Sequence, residues 1–201
     1  MNFLLKSISY IFHPLLMPLA GAGIYFIIAP RFIPENIIQA KIFGLLVITV
    51  LIPIVLYFFL RTTGFITSIH LDDIKQRKIP LLLQSLLFLL VVKVIIDAYN
   101  YPELYYFFLG ILLSSLSAIF IIFFNIKASL HMIGSAAVTM FTIALSIHFE
   151  INLILLITAM IIINGIVATS RLHYKAHSNI ELILGFLIGI IPQLTLINLW
   201  L

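Results

Sequence analysis

Long apolar runs alternate with short polar connections along the whole chain. The runs cover about residues 12–29, 42–60, 80–97, 103–124, 131–148, 151–169 and 180–200; the main connections between them are 30–41, 61–79, 98–102, 125–130 and 170–179. A helix that crosses the hydrocarbon core takes about 20 mostly apolar residues. Lipid offers no water to an unpaired backbone group, so runs of this length and composition are read as helices. The pattern predicts an all-α fold, a polytopic transmembrane bundle of about six to seven helices. The connections leave no room for a soluble domain and no repeat period is visible, so residues 1–201 read as a single integral membrane domain. Pro14 and Pro18 interrupt the first run and no small-residue cleavage site follows it, which favours a span over a cleaved leader.

Composition sharpens this reading. Hydrophobic residues make up 63% of the 201 positions and charged residues 9%, against roughly 45–50% and about 25% in soluble domains. The chain has no Cys, so thiolate chemistry, disulfides and Cys-ligated metals are excluded. A net charge of +4 is ordinary for a chain that keeps Lys and Arg beside lipid headgroups, and it points to the bilayer rather than to nucleic acid. Paired small residues, among them Gly21 and Gly23, Gly134 to Ala137, and Gly185 with Gly189, suit close helix contact.

The distribution of charge carries more information than its total. Lys6, Arg61, Lys75, Arg77, Lys78, Lys127, Arg171 and Lys175 lie at the N-terminus or in the connections 61–79, 125–130 and 170–179. Two apolar runs separate each of these connections from the next, so parity puts all three on one membrane face. His70, His131, His173, His177, Asp72, Asp73 and Glu181 share it. The positive-inside rule would collect the cations with no site at all. Histidines and carboxylates among them suit proton or nucleophilic work on an anion held by Lys and Arg.

Three clusters stand out. In the first, Ser178 and Glu181 have the spacing of a capping box at the start of the last run. The same Glu181 is four residues from His177 and could hold one imidazole nitrogen so that the other is presented as a nucleophile. In the second, Ser129 has the character of an N-cap and His131 falls in the first turn after it. The third, Asp72 to Pro80, offers Lys75, Arg77 and Lys78 to phosphate oxygens, or else is a solvated charge run. Its surplus of cations disfavours a divalent metal. His13, alone in an apolar run, is expected to satisfy itself on a neighbouring helix carbonyl, while Lys93, Asp97 and Glu103 are the charges a transport pathway would use.

Together the clusters resemble the type 2 phosphatidic acid phosphatase family, which is related to the vanadium haloperoxidases. Ser170-Arg171, then His177 after five residues and Glu181 after three more, is similar to the third family motif with Glu for Asp. Ala128-Ser129-Leu130-His131 keeps the Ser and His of the second motif and lacks its Pro and Gly. Of the first motif only Pro80 stands in place, with Ile79 where the Arg should be and Asp72 where the Lys should be. The resemblance spans about residues 70–185. It implies a lipid or polyprenyl phosphate phosphatase in which His177 becomes a phosphohistidine, Glu181 orients it and His131 protonates the leaving oxygen. Arg171, Arg77, Lys78, Lys75, Ser129 and Ser170 would hold the phosphate, with no metal or other cofactor. It further implies a bacterial inner membrane, with the site on the periplasmic face. Alternatives are a non-enzymatic transporter or lipid-binding bundle, or an inactive scaffold that keeps the fold.

Overall fold

The computed structural model describes residues 2–66 and 74–201; the described side chains exclude those of residues 2–4 and Lys75. Among them the chain is helical throughout, with no strand. A short helix α1 (Asn2–Ile11) and a second, α2 (Met17–Ile28), precede six long apolar helices. These are α3 (Glu35–Thr62), α4 (Lys78–Ile95), α5 (Pro102–Ile122), α6 (Leu130–His148), α7 (Ile154–His173) and α8 (Asn179–Ile197). Each is long enough and apolar enough to cross a bilayer.

Large apolar side chains cover the outside of the bundle: Phe43, Val55, Phe59, Leu155 and Ile162 are all exposed. A soluble protein does not present such a surface on every side. Hydrocarbon is its natural surrounding, and the protein is an integral membrane protein.

The first apolar run departs from expectation. Instead of one span, the chain turns at His13–Leu16 and begins α2 at Met17, with Pro18 in the first helical turn. There a missing N–H removes no helical bond. The 12 residues of α2 rise about 18 Å, short of the roughly 30 Å hydrocarbon core. α2 is therefore a short inner helix packed on α3, α5 and α6.

Helices α6 and α8 pack most intimately. A methyl group on Gly189 would lie 2.5 Å from the Ile133 carbonyl oxygen and 2.9 Å from the Ala136 Cβ, and one on Gly185 would lie 2.6 Å from the Ser129 oxygen. Only hydrogen at these positions permits the approach. One consequence is a backbone bond between the two helix starts, in which the Ser129 N–H donates to the Glu181 carbonyl at 3.0 Å.

The face opposite that end is tied by a buried carboxylate. Glu103, fully buried at the start of α5, takes the Arg31 guanidinium and His148 Nε2 (3.2 Å) on one oxygen and the Tyr25 hydroxyl (3.1 Å) on the other. Four elements meet there. Asp97 holds the turn before α5 by accepting from the backbone N–H of Tyr99 at 3.0 Å.

Candidate active site

The N-termini of α6 and α8 lie side by side, and the C-terminus of α7 and α1 close over them. At the end of α7 the Lys175 N–H donates to the Leu172 carbonyl and the Ala176 N–H to the Arg171 carbonyl, with Lys175 at φ 52°. This paired closure with a left-handed residue stops a helix sharply. A non-glycine residue there is uncommon, and such strain gathers at functional sites. The reversal sets Arg171, on the last turn of α7, and His177, just before α8, against one cavity.

That cavity has a volume of about 980 Å³ and a two-part wall. At the polar end stand Arg77, His131, Arg171, Lys175 and His177, with Lys6 and His13 beside them. Further in, the wall is made of apolar side chains such as Leu81, Leu87, Phe88, Ile111 and Val138. Parity of the apolar runs therefore holds in three dimensions: residues from α1, the start of α4, α6 and the α7–α8 turn reach one mouth.

His177 is buried, at 8% exposure. Its Nδ1 lies 2.8 Å from Glu181 Oε2, so Nδ1–H donates and Nε2 keeps its lone pair. The same Oε2 accepts the Ser178 N–H at 3.2 Å, while the Glu181 N–H donates to Ser178 Oγ at 3.4 Å. The capping box and the imidazole contact thus coexist on one carboxylate oxygen. Oε1 lies 3.8 Å from Lys127 Nζ. Burial pushes the His177 pKa well below its ordinary 6.5; the Glu181 carboxylate opposes this, and the Arg77 and Arg171 charges add to it. The imidazole is neutral at neutral pH and therefore able to attack.

Ser129 occupies the N-cap position of α6, yet its side chain makes no cap bond. Its Oγ is buried without a hydrogen-bond partner among the described residues. His131 Nε2 lies 3.1 Å from the Ser9 carbonyl, so Nε2–H donates to α1 and Nδ1 is the nitrogen left to exchange a proton. Arg77, only 6% exposed, donates Nη1 to the Ala128 carbonyl at 3.4 Å, which fixes it beside the start of α6.

Other predicted ligands are not brought to the mouth. Lys78 reaches outward, its Nζ 5.0 Å from the Phe123 ring centre. Ser170 is fully buried and bonds to the Leu5 carbonyl (2.7 Å) and Ser9 Oγ (2.8 Å), which clamps α1 onto α7. His70, Asp72 and Asp73 lie outside the described residues, as does the Lys75 side chain. His173 is exposed and packs edge-on against Tyr174.

His13 is the residue that sequence reasoning placed elsewhere. Its Nδ1 accepts the Leu15 N–H at 3.3 Å, so the neutral ring carries its proton on Nε2. The ring lines the cavity and packs edge-on to His131 with 5.4 Å between centres. The signal that could have found it is His13-Pro14 itself, a break that turns α1 back over the mouth. Among the described residues no three His, Cys, Asp or Glu side chains gather as a metal-ligand set. The chemistry available is that of a neutral imidazole nucleophile between two guanidinium groups, opening onto an apolar chamber. No protein-family model matches the chain, and no curated protein and no solved structure matches it.

Proposed function

We propose that this protein is a membrane phosphatase that removes phosphate from a lipid or polyprenyl carrier through a phosphohistidine on His177, at the periplasmic face of a bacterial inner membrane. The observation that carries the reading is His177 itself, held by Glu181 at Nδ1 with Nε2 unprotonated, on the wall of a cavity shared with Arg77, Arg171 and His131. A polar mouth for a headgroup and an apolar chamber for its tail suit a lipid phosphate.

In the proposed reaction the Nε2 lone pair attacks phosphorus, and the bond from phosphorus to the lipid oxygen breaks. Arg77 and Arg171 hold the non-bridging oxygens, where charge-assisted bonds strengthen as charge builds. The leaving oxygen takes a proton that comes from water at the mouth and is passed on by His131 Nδ1. Water then attacks the phosphohistidine and gives up a proton by way of His131 Nδ1 to the water at the mouth, releasing inorganic phosphate and restoring neutral His177. The Glu181 carboxylate stabilises the positive imidazole of the intermediate.

Two of the three charges a transport pathway would use, Glu103 and Asp97, have other partners. Glu103 is enclosed by Arg31, His148 and Tyr25, and Asp97 holds a turn. The test is phosphate release from dioctanoyl phosphatidate and from farnesyl diphosphate by the purified protein in detergent. His177→Ala should lower it on the order of 10³-fold or more, and acid-labile phosphate should be trapped on the wild-type chain alone. Unchanged release from His177→Ala removes the nucleophile.

A further inference from the structure

Helix α1 ends with a carbonyl that its own helix does not use. In a regular helix the Ser9 carbonyl would accept the N–H four residues on, that of His13. Pro14 has no N–H for the Tyr10 carbonyl, which takes the His13 N–H instead, at 3.3 Å. The Ile8 carbonyl is met by the Phe12 N–H at 2.9 Å. Ser9 is thereby left to receive His131 Nε2–H at 3.1 Å. A carbonyl cannot donate, so this bond decides which nitrogen of the neutral ring is protonated and which way the ring faces.

What fixes that carbonyl is a hydroxyl on a third helix. Ser170 is fully buried on α7, and its O–H donates to the Leu5 carbonyl at 2.7 Å. That uses the single hydroxyl proton of Ser170, so in the 2.8 Å contact between the two hydroxyls Ser9 is the donor. One side chain therefore grips α1 at two points a turn apart, and the second is the residue whose carbonyl reaches α6. Ile8 and Phe12 rest on the cluster formed by Met132, Val167 and Leu182. Apolar contact of this kind holds a helix down without direction; the serine pair sets how α1 is turned.

We infer that Ser170 is a positioning residue for the proton relay of His131: it acts through Ser9, whose carbonyl holds Nε2–H and so keeps Nδ1 turned to the leaving oxygen. The inference rests on the phosphatase reading for that oxygen, and it makes α1 part of the reaction's machinery rather than a cover over the mouth. Ser170 and Arg171, adjacent in sequence, then serve different ends, Arg171 the phosphate and Ser170 the nitrogen that passes the proton. A serine that only tied two helices together would matter equally to every substrate. One that sets His131 matters most when the leaving oxygen needs a proton.

The experiment uses the full-length protein in detergent and two phosphate monoesters: dioctanoyl phosphatidate, whose alkoxide leaves only with a proton, and 4-nitrophenyl phosphate, whose phenolate leaves without one. General acid transfer contributes about 10²- to 10⁴-fold, so Ser170→Ala should lower kcat/KM for the phosphatidate at least about tenfold more than for the aryl ester. Ser9→Ala, which keeps the Ser170 bond to Leu5, should shift the ratio in the same direction by less, and it carries the test if Ser170→Ala does not fold. Nitrogen-15 spectra of histidine-labelled protein, with the His131 signal assigned from His131→Asn, report the ring directly: Nε2–H in the wild type and a mixture of tautomers in Ser170→Ala. Equal losses on both esters, or a His131 that keeps its tautomer in both serine variants, overturn the inference. A wild-type protein that releases phosphate from neither ester sinks the phosphatase, and the spectra still decide whether Ser170 sets the His131 ring.

Discussion

Glu181 offers the sharpest test because one of its oxygens serves two purposes that substitution can separate. Oε2 accepts His177 Nδ1–H at 2.8 Å and the Ser178 N–H at 3.2 Å, and Oε1 faces Lys127 at 3.8 Å. In Glu181→Gln the amide oxygen can replace Oε2 on both donors, so the cap survives; Gln is itself a capping-box residue. What disappears is the negative charge. A hydrogen bond to a charged acceptor is worth roughly 1.5–3 kcal/mol and a neutral one about 0.5–1.5. The intermediate, with its positive imidazole, should lose about 1–2 kcal/mol, or about 5- to 30-fold in the rate of phosphoryl transfer. Glu181→Ala removes the cap as well, about 1 kcal/mol, and strands the buried Nδ1–H, a further 1–3 kcal/mol or so. Its rate should fall by about 10²- to 10⁴-fold as the ring loses its fixed tautomer. Single-turnover phosphate release gives the rates and thermal melting gives the stabilities. A Gln variant that melts early yet turns over normally would refute the division of labour, because the contact would then be structural only.

Further expectations follow from the same geometry. The neutral His177 is the attacking form and burial lowers its pKa below 6.5, so the acid limb of kcat/KM should lie below pH 6.5. In Arg77→Gln, removal of a nearby positive charge lets the pKa rise, and the limb should move to higher pH; a fixed limb would detach Arg77 from His177. Because the unfolded chain binds that proton first, stability should decline as pH falls below 6.5, a slope that His177→Ala reduces in acid melts. Gly189→Ala should cost about 1–3 kcal/mol through overpacking against Ile133 and Ala136, whereas Gly165→Ala, with open space around it, should melt like wild type. Glu103→Ala should cost about 1–3 kcal/mol by leaving the buried Tyr25 hydroxyl without its acceptor, while KM stays unchanged because the cluster is at the far face.

The chain's linear pattern determined the spans and their parity. Apolar run length against bilayer thickness is a one-dimensional constraint, and it located five of the six long helices to within about four residues; α3 begins at Glu35, well before the apolar run that starts at 42. The capping box of Ser178 and Glu181 was equally legible, since its partners are three residues apart and need no other helix. The first run escaped this logic. Its hydropathy is that of a span, but Pro14 and Pro18 let the chain turn, and packing of α2 inside the bundle decided the outcome.

Contacts between helices decided the rest. Lys78 and Arg77 are neighbours in sequence, yet the helical rotation of about 100° per residue sends one outward to Phe123 and the other inward to the Ala128 carbonyl. Ser170 and Arg171 diverge for the same reason, Ser170 to α1 and Arg171 to the cavity. Gly185 and Gly189 carry no chemistry of their own, but their missing side chains let α8 meet α6 closely enough to set His177 and His131 on one wall. Which face of a helix meets which neighbour depends on packing summed over the whole bundle, and no local spacing encodes it.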